Sequence, residues 1–238
     1  MNTAKGALAA PQQAEVSSKD VMAAEDLRTL AWLHEVERSP AVLSELHRCG
    51  FPQALSLLSP DHAALTRLAE TLTAFADMAV EDAAQCTDDL AADFAGIYLT
   101  YALRAAPYES VWRDEDQLMM QAPTFAVRDF YARHGLMVEN WRHQPDDHLS
   151  HELRFVALLL ERGERREAAR FLRTHLMVWL ALFTEKVEQR AQTRFYADLA
   201  ALTLACVQAC VERLPSVAVI PQVFVASESS RSSGCGVG

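Results

Sequence analysis

The densest group of titratable side chains outside charged helix faces is Gln144-Pro145-Asp146-Asp147-His148-Leu149-Ser150-His151-Glu152. A helix beginning at Asp146 or Asp147 would let an aspartate accept backbone N–H bonds and face the positive end of the helix dipole. His148 and Glu152, four residues apart, would share a face of that helix and could turn toward one metal ion. With His151 and His143 they make a helical metalloenzyme one reading of the chain. The order His-Leu-Ser-His-Glu is not the zincin arrangement, which has two His at helical spacing and a Glu beside the first. Ser110 could be activated by His148 with Asp147 behind it, but nothing in the spacing brings them together.

Other chemistries lack their signatures. There is no GxSxG elbow, no P-loop and no glycine-rich dinucleotide fingerprint, and the eight glycines fall mostly where helices end or in the C-terminal tail. Arg162, Arg165, Arg166, Arg170 and Arg173 alternate with Glu161, Glu164 and Glu167 at helical spacing, which reads as a solvated face laced with ion pairs. Tyr108 and Trp112 flank a proline loop, a setting in which large aromatics line binding surfaces as readily as cores.

The elements that must position these residues are helices. Apolar residues repeat at three and four rather than two. Ala23, Leu27, Leu30 and Leu33 form one stripe, and Ser39-Pro40 starts a second, short helix that stops near Gly50. Ser59-Pro60 predicts the start of a long helix carrying Leu65, Leu68, Leu72, Phe75 and Ala79. Asp88 or Asp89 is the expected cap of a helix bearing Leu90, Phe94, Ile97 and Tyr98. A further helix from about Asp114 is expected to be interrupted by Pro123, its following piece ending at Gly135. Val138–Pro145 reads as the main linker and a candidate hinge. Beyond it come Leu149, Leu153, Val156 and Leu160, then one long helix with Ala169, Leu172, Leu176, Leu180 and Phe183. A last helix with Leu199, Leu202, Cys206 and Ala209 ends at Pro215. With no sheet to cover them, these stripes predict an all-α, single-domain bundle of roughly nine helices, with the hinge before the C-terminal helices.

Residues 1–19 and 216–238 are expected to be a disordered N-terminal segment and an extended or disordered tail around a domain at 20–215. The tail includes the one strand-like run, Val217–Val225, and a lone Cys235. The chain has 238 residues and a formal net charge of −10, which disfavours nucleic acid and anionic lipid and favours a basic partner. Five cysteines without CxxC spacing suit a reducing compartment, with Cys206 and Cys210 as small buried hydrophobes. No signal-peptide core is evident, and no stretch is judged to approach the ~20 apolar residues that span a bilayer. A cytoplasmic protein without membrane insertion is expected.

Three blocks resemble the TorD/DmsD family of redox-enzyme maturation chaperones, and most closely its TorD branch. Leu90–Leu99 is similar to the family's Asp-aromatic helix, and Ala106-Pro107-Tyr108-Glu109-Ser110-Val111-Trp112 to its Pro-aromatic-x-Ser loop. Pro145-Asp146-Asp147-His148-Leu149 with Glu152-Leu153 resembles its Glu-Pro-x-Asp-His-Leu signature, Gln144 standing where the family has Glu. The resemblance extends from about Asp26 to Leu214.

It implies a non-enzymatic cytoplasmic chaperone, without a cofactor of its own, for a molybdopterin-dependent reductase. Such a chaperone binds the client's twin-arginine signal peptide and apo form, assisting cofactor insertion and delaying export. Phe94, Ile97, Tyr98, Tyr108 and Trp112 would line an apolar groove, with Asp147 and His148 at its rim and Ser110, Asp146 and Glu152 completing the site. Burying three or four peptide side chains at roughly 1.5–3 kcal/mol each would leave around micromolar affinity after association costs. A helical adaptor for another partner is the other reading. A monomer or a dimer swapped at the linker is compatible with the pattern.

Overall fold

The computed structural model describes residues 16–79, 81–100 and 104–218. Among them are ten α-helices and no strand. They are α1 (Ser18–Leu33), α2 (Pro40–Arg48), α3 (Ala63–Ala76), α4 (Ala83–Phe94), α5 (Glu109–Arg113), α6 (Ala122–Arg133), α7 (Leu149–Glu161), α8 (Arg165–Thr174), α9 (Leu176–Arg190) and α10 (Arg194–Arg213). A π-helical turn, Ala95–Leu99, extends α4. The helix α1 lies along α7, α10 packs between α9 and α3, and α2 covers α3.

Each helix is placed by its apolar stripe. Ala23, Leu27, Leu30 and Leu33 are all buried, as the three-and-four spacing predicts. Ser39 accepts from Val42 N with Pro40 in the first turn of α2, and Gly50 follows that helix at φ +81°, a conformation glycine adopts without a Cβ penalty. The helix α10 is 20 residues long, and Asp198 is its one charge between Phe195 and Val211. By length and composition it is long and apolar enough to cross a bilayer, a stretch of the kind not expected from the sequence. Phe195, Leu199, Leu202, Cys206 and Val207 are instead buried in the bundle, and Asp198 accepts from Thr71 Oγ1 at 2.6 Å and Arg67 Nη2 at 2.8 Å.

Several boundaries differ from the sequence reading. The cap of α3 is His62, whose ring accepts from Ala64 N, and Ser59-Pro60 forms the preceding turn. Asp82 precedes α4, leaving Asp88 and Asp89 inside it. Pro123 begins a helix rather than interrupting one, because its missing N–H lies in the first turn, where donors are unpaired anyway. The expected long helix after Gly163 is two, broken at His175, where φ −119° and ψ −90° leave the helical region. The arginine run also ties helices together: Arg165 pairs with Asp20 of α1, while Arg170 pairs with Glu167 within α8. Cys206 and Cys210 are buried free thiols, and burial pushes Cys210 up to about 12. The helix α1 starts at Ser18, just inside the expected N-terminal segment. Cys235 and most of the Val217–Val225 run lie outside the described residues.

Candidate functional site

The two proline-led blocks come together as a short antiparallel pairing. Leu149 N donates to Pro107 O at 2.9 Å and Glu109 N to Asp147 O at 3.1 Å, forming a bridge between Tyr108 and His148. Each block then starts a helix for which the pairing supplies a cap. Tyr108 has no side-chain acceptor to offer α5, so Asp147 Oδ2 accepts from Ser110 N at 2.8 Å across the pair. His148 caps α7, its Nδ1 accepting from Ser150 N at 3.1 Å and Ser150 Oγ at 2.7 Å. The predicted cap at Asp146 or Asp147 is therefore one or two residues early. Asp146 turns the other way and accepts from Arg128 Nη2 at 2.7 Å and Nε at 3.0 Å, while its carbonyl accepts from Tyr131 OH at 3.0 Å.

Behind the pairing lies a cluster with more acid than base. Glu109, Asp147 and Glu152 are each 0% exposed. Glu109 is the best-partnered of the three, pairing with Arg113 and accepting from His175 Nδ1 at 2.8 Å. Glu152 receives one donor, Trp179 Nε1 at 3.4 Å. Burial and the neighbouring Glu109 and Asp147 hold its pKa well above the ordinary carboxylate range. Asp147 is also raised, chiefly by burial, against the opposing effect of Ser110 and Thr124. Asp147 Oδ1, Glu152 Oε1, Ser110 Oγ and Thr124 Oγ1 are buried without a hydrogen-bond partner of normal geometry. Burial likewise drives His148 far below its usual pKa, so its Nδ1 is free to accept as a cap.

The aromatic half adjoins this cluster through Tyr98. Phe94 and Tyr98 stack at 4.8 Å, and Tyr98 lies 6.4 Å from His148, ring centroid to centroid. Tyr98 OH donates to His34 Nδ1 at 2.5 Å, and His34 Nε2 donates to Thr203 Oγ1 at 2.8 Å, fixing a neutral tautomer whose pKa burial lowers to about 3. Ile97 is buried beside them. Trp112 is half-buried on α5, its Nε1 donating to Ala106 O at 2.9 Å.

The structure thus brings Tyr108, Ser110, Asp146, Asp147, His148 and Glu152 into one contact network, joins Phe94 and Tyr98 to it, and leaves Trp112 at its edge. Asp147 and His148 are not at a rim: both are interior, because the pairing with residues 107–110 covers them. The Ser110–His148 relay does not form, since His148 Nδ1 is engaged by Ser150 and Ser110 Oγ makes no hydrogen bond of normal geometry. Among the described residues no three of His, Cys, Asp and Glu converge on a metal position. His143 is exposed, whereas His148 is buried. Glu109, Arg113, Thr124 and His175 belong to the network but were not singled out from sequence. Glu109 had one signal, an acid inside an otherwise aromatic and apolar loop. Asp93, within the first block, braces the turn before α10, accepting from Gln192 N at 2.9 Å and Thr193 N at 2.6 Å.

Residues 57–185 match the family model described as nitrate reductase delta subunit. Among curated proteins, the chain is 34% identical over 112 residues to the Tat proofreading chaperone DmsD of Salmonella paratyphi A, covering 46% of this chain and 55% of that protein. It is 32% identical over 132 residues to the chaperone protein TorD of Vibrio cholerae O395, covering 50% and 60% respectively. The chain therefore spans a little over half the length of these relatives. The family match takes in more than half of this chain, including α5, the linker and all of α7. Its helical bundle and its paired blocks are accordingly those of a member of the TorD/DmsD family.

Proposed function

We propose that the protein is a cytoplasmic, non-enzymatic chaperone that binds the twin-arginine signal peptide and apo form of a molybdopterin-dependent reductase, assisting cofactor insertion and delaying export. The chaperone domain is residues 20–215. The observation that carries this reading is the pair of buried carboxylate oxygens without a hydrogen bond of normal geometry, Asp147 Oδ1 and Glu152 Oε1, beneath an aromatic segment. A guanidinium offers five N–H donors and a permanent positive charge, which is what such oxygens lack. Access requires the 107–110 and 147–149 pairing to part, which frees the Asp147 carboxylate and uncovers Tyr108, Tyr98, Phe94 and Ile97 for the apolar part of the peptide. Trp112 stands at the edge of that opening, and Asp146 and His148 flank it. Burial of apolar side chains supplies most of the affinity, and the acids set register.

The test is calorimetric titration with twin-arginine signal peptides of molybdoenzymes and the same peptides with both arginines changed to Ala. Saturable binding that weakens with the Ala peptides and with Trp112→Ala supports the reading. Equal binding of both peptide sets removes the role assigned to the carboxylates. The description of the matched family favours one second reading, an adaptor for a nitrate reductase-type client recognised through its folded apoenzyme; binding of that apoenzyme with indifference to the peptides would select it.

A further inference from the structure

A groove of about 780 Å³ opens on the side of the bundle where α1 begins and α10 ends. Met22, Ala23, Leu57, Leu160, Cys210 and Leu214 give it an apolar lining. Charged residues stand at its edge, but two of the cations are already engaged. Arg165 is bound to Asp20 and donates to Arg213 O at 2.7 Å, and Arg213 donates to Ser56 O at 2.8 Å and Leu57 O at 2.6 Å. Those guanidiniums hold the groove's own backbone, so apart from Lys19 at the edge the surface left for an occupant is mainly apolar. Met22 is 49% exposed there, and its neighbour Val21 is also exposed.

The chain itself leaves the bundle at this groove. Leu214, in its wall, is buried; Pro215 and Val217 are half-buried, whereas Ser216 and Ala218 are exposed. Val217 packs against the core. That two-residue alternation is the pattern of an extended segment running along a surface. Beyond Ser216 the chain reads Val217-Ala218-Val219-Ile220-Pro221-Gln222-Val223-Phe224-Val225, nine residues without a charge. Fully extended, nine residues reach about 30 Å, more than enough to cross the groove. Residues 1–15, which precede α1 in the sequence, offer only Met1 and Leu8 as large apolar side chains.

We propose that the groove is the docking surface for this chain's own segment Val217–Val225, which covers its apolar lining from the end of α10. This needs no client and stands apart from the signal-peptide reading. The test uses the full chain with Cys49, Cys86 and Cys235 changed to Ser and Cys210 to Ala, carrying Met22→Cys with Val223→Cys, against a control pairing Met22→Cys with Ser230→Cys. Under mild oxidation at low protein concentration, the first pair is expected to form an intrachain disulfide several-fold faster than the control. Equal rates overturn the proposal, as do disulfide-linked dimers, which would assign the groove to a second copy. A chain ended after Ala218 is expected to bind an apolar-site fluorophore several-fold more strongly than the full chain, and a Val217–Val225 peptide added in trans to displace it. Unchanged fluorophore binding on truncation also overturns the proposal.

Discussion

Replacing Glu152 by Gln should stabilise the protein at neutral pH, by an amount that grows with pH. Glu152 is wholly buried on α7, receives one long hydrogen bond from Trp179, and faces Glu109 and Asp147 across the α5–α7 pairing. Its pKa is raised well above the ordinary 4.5, first by burial and then by Glu109 and Asp147. The folded protein therefore binds more protons at this site than the unfolded chain between pH 4.5 and the folded pKa. Its contribution is full below 4.5 and is lost progressively as pH rises through that window. Ionisation of the same carboxyl in the unfolded chain is worth at most about 3 kcal/mol by pH 7, which bounds what the raised folded-state pKa can cost there. Gln keeps the shape and cannot ionise, so the variant should match the wild type near pH 4.5 and exceed it by up to about 3 kcal/mol at pH 7. The lowered pKa values of His34 and His148 make the fold lose stability as pH falls below 6.5, but in both proteins alike, so the difference isolates Glu152. Urea unfolding at pH 4.5, 6 and 7.5 measures it. A pH-independent difference, or a variant less stable at pH 7.5, would refute the argument that Glu152 is held against its ionisation.

Guanidinium binding at these carboxylates should favour their ionised forms, so affinity for a twin-arginine peptide should rise with pH above the ordinary carboxylate range and binding should release protons. Calorimetry in buffers of differing ionisation enthalpy reads that release, and zero release counts against the carboxylates as the arginine site. Asp147→Asn keeps an acceptor for Ser110 N, whereas Asp147→Ala leaves that buried N–H bare, so Ala should cost about 1–3 kcal/mol more in urea unfolding. Leu27→Ala, at a fully buried position of α1, should cost about 2–5 kcal/mol in the same assay. Asp93→Ala removes the acceptor of Gln192 N and Thr193 N and should lower stability by about 1–2 kcal/mol, with hydrogen exchange increasing first at residues 191–195.

Helix existence was legible wherever an apolar stripe ran long enough to be read at a period of 3.6, as in α1, α3, α7 and α10. Helix starts were legible only where the capping residue lay beside the stripe, as Ser39 does. Where several acids or imidazoles competed, local preference did not choose: Asp82 precedes α4 instead of Asp88 or Asp89, and His62 and His148 cap through ring nitrogens that accept backbone N–H bonds, a role the sequence does not mark. The break at His175 has no local cause in the stripe. It coincides with contacts more than 60 residues away in the chain: His175 Nδ1 meets Glu109, and Arg113 Nη1 donates to the Thr174 carbonyl, a backbone group at the break, at 3.2 Å.

By itself the sequence determined the all-helical class, because period and glycine placement are local properties, and it marked the two proline-led blocks, because their residue types are unusual in a plain bundle. Only the tertiary structure decided that those blocks pair, that Glu109 and His175 join them, and that the acids lie inside rather than at a rim. Ionisation and exposure depend on what the rest of the chain brings within a few ångströms of a carboxylate. A stretch of residues carries no record of neighbours that arrive from 40 or 60 positions away.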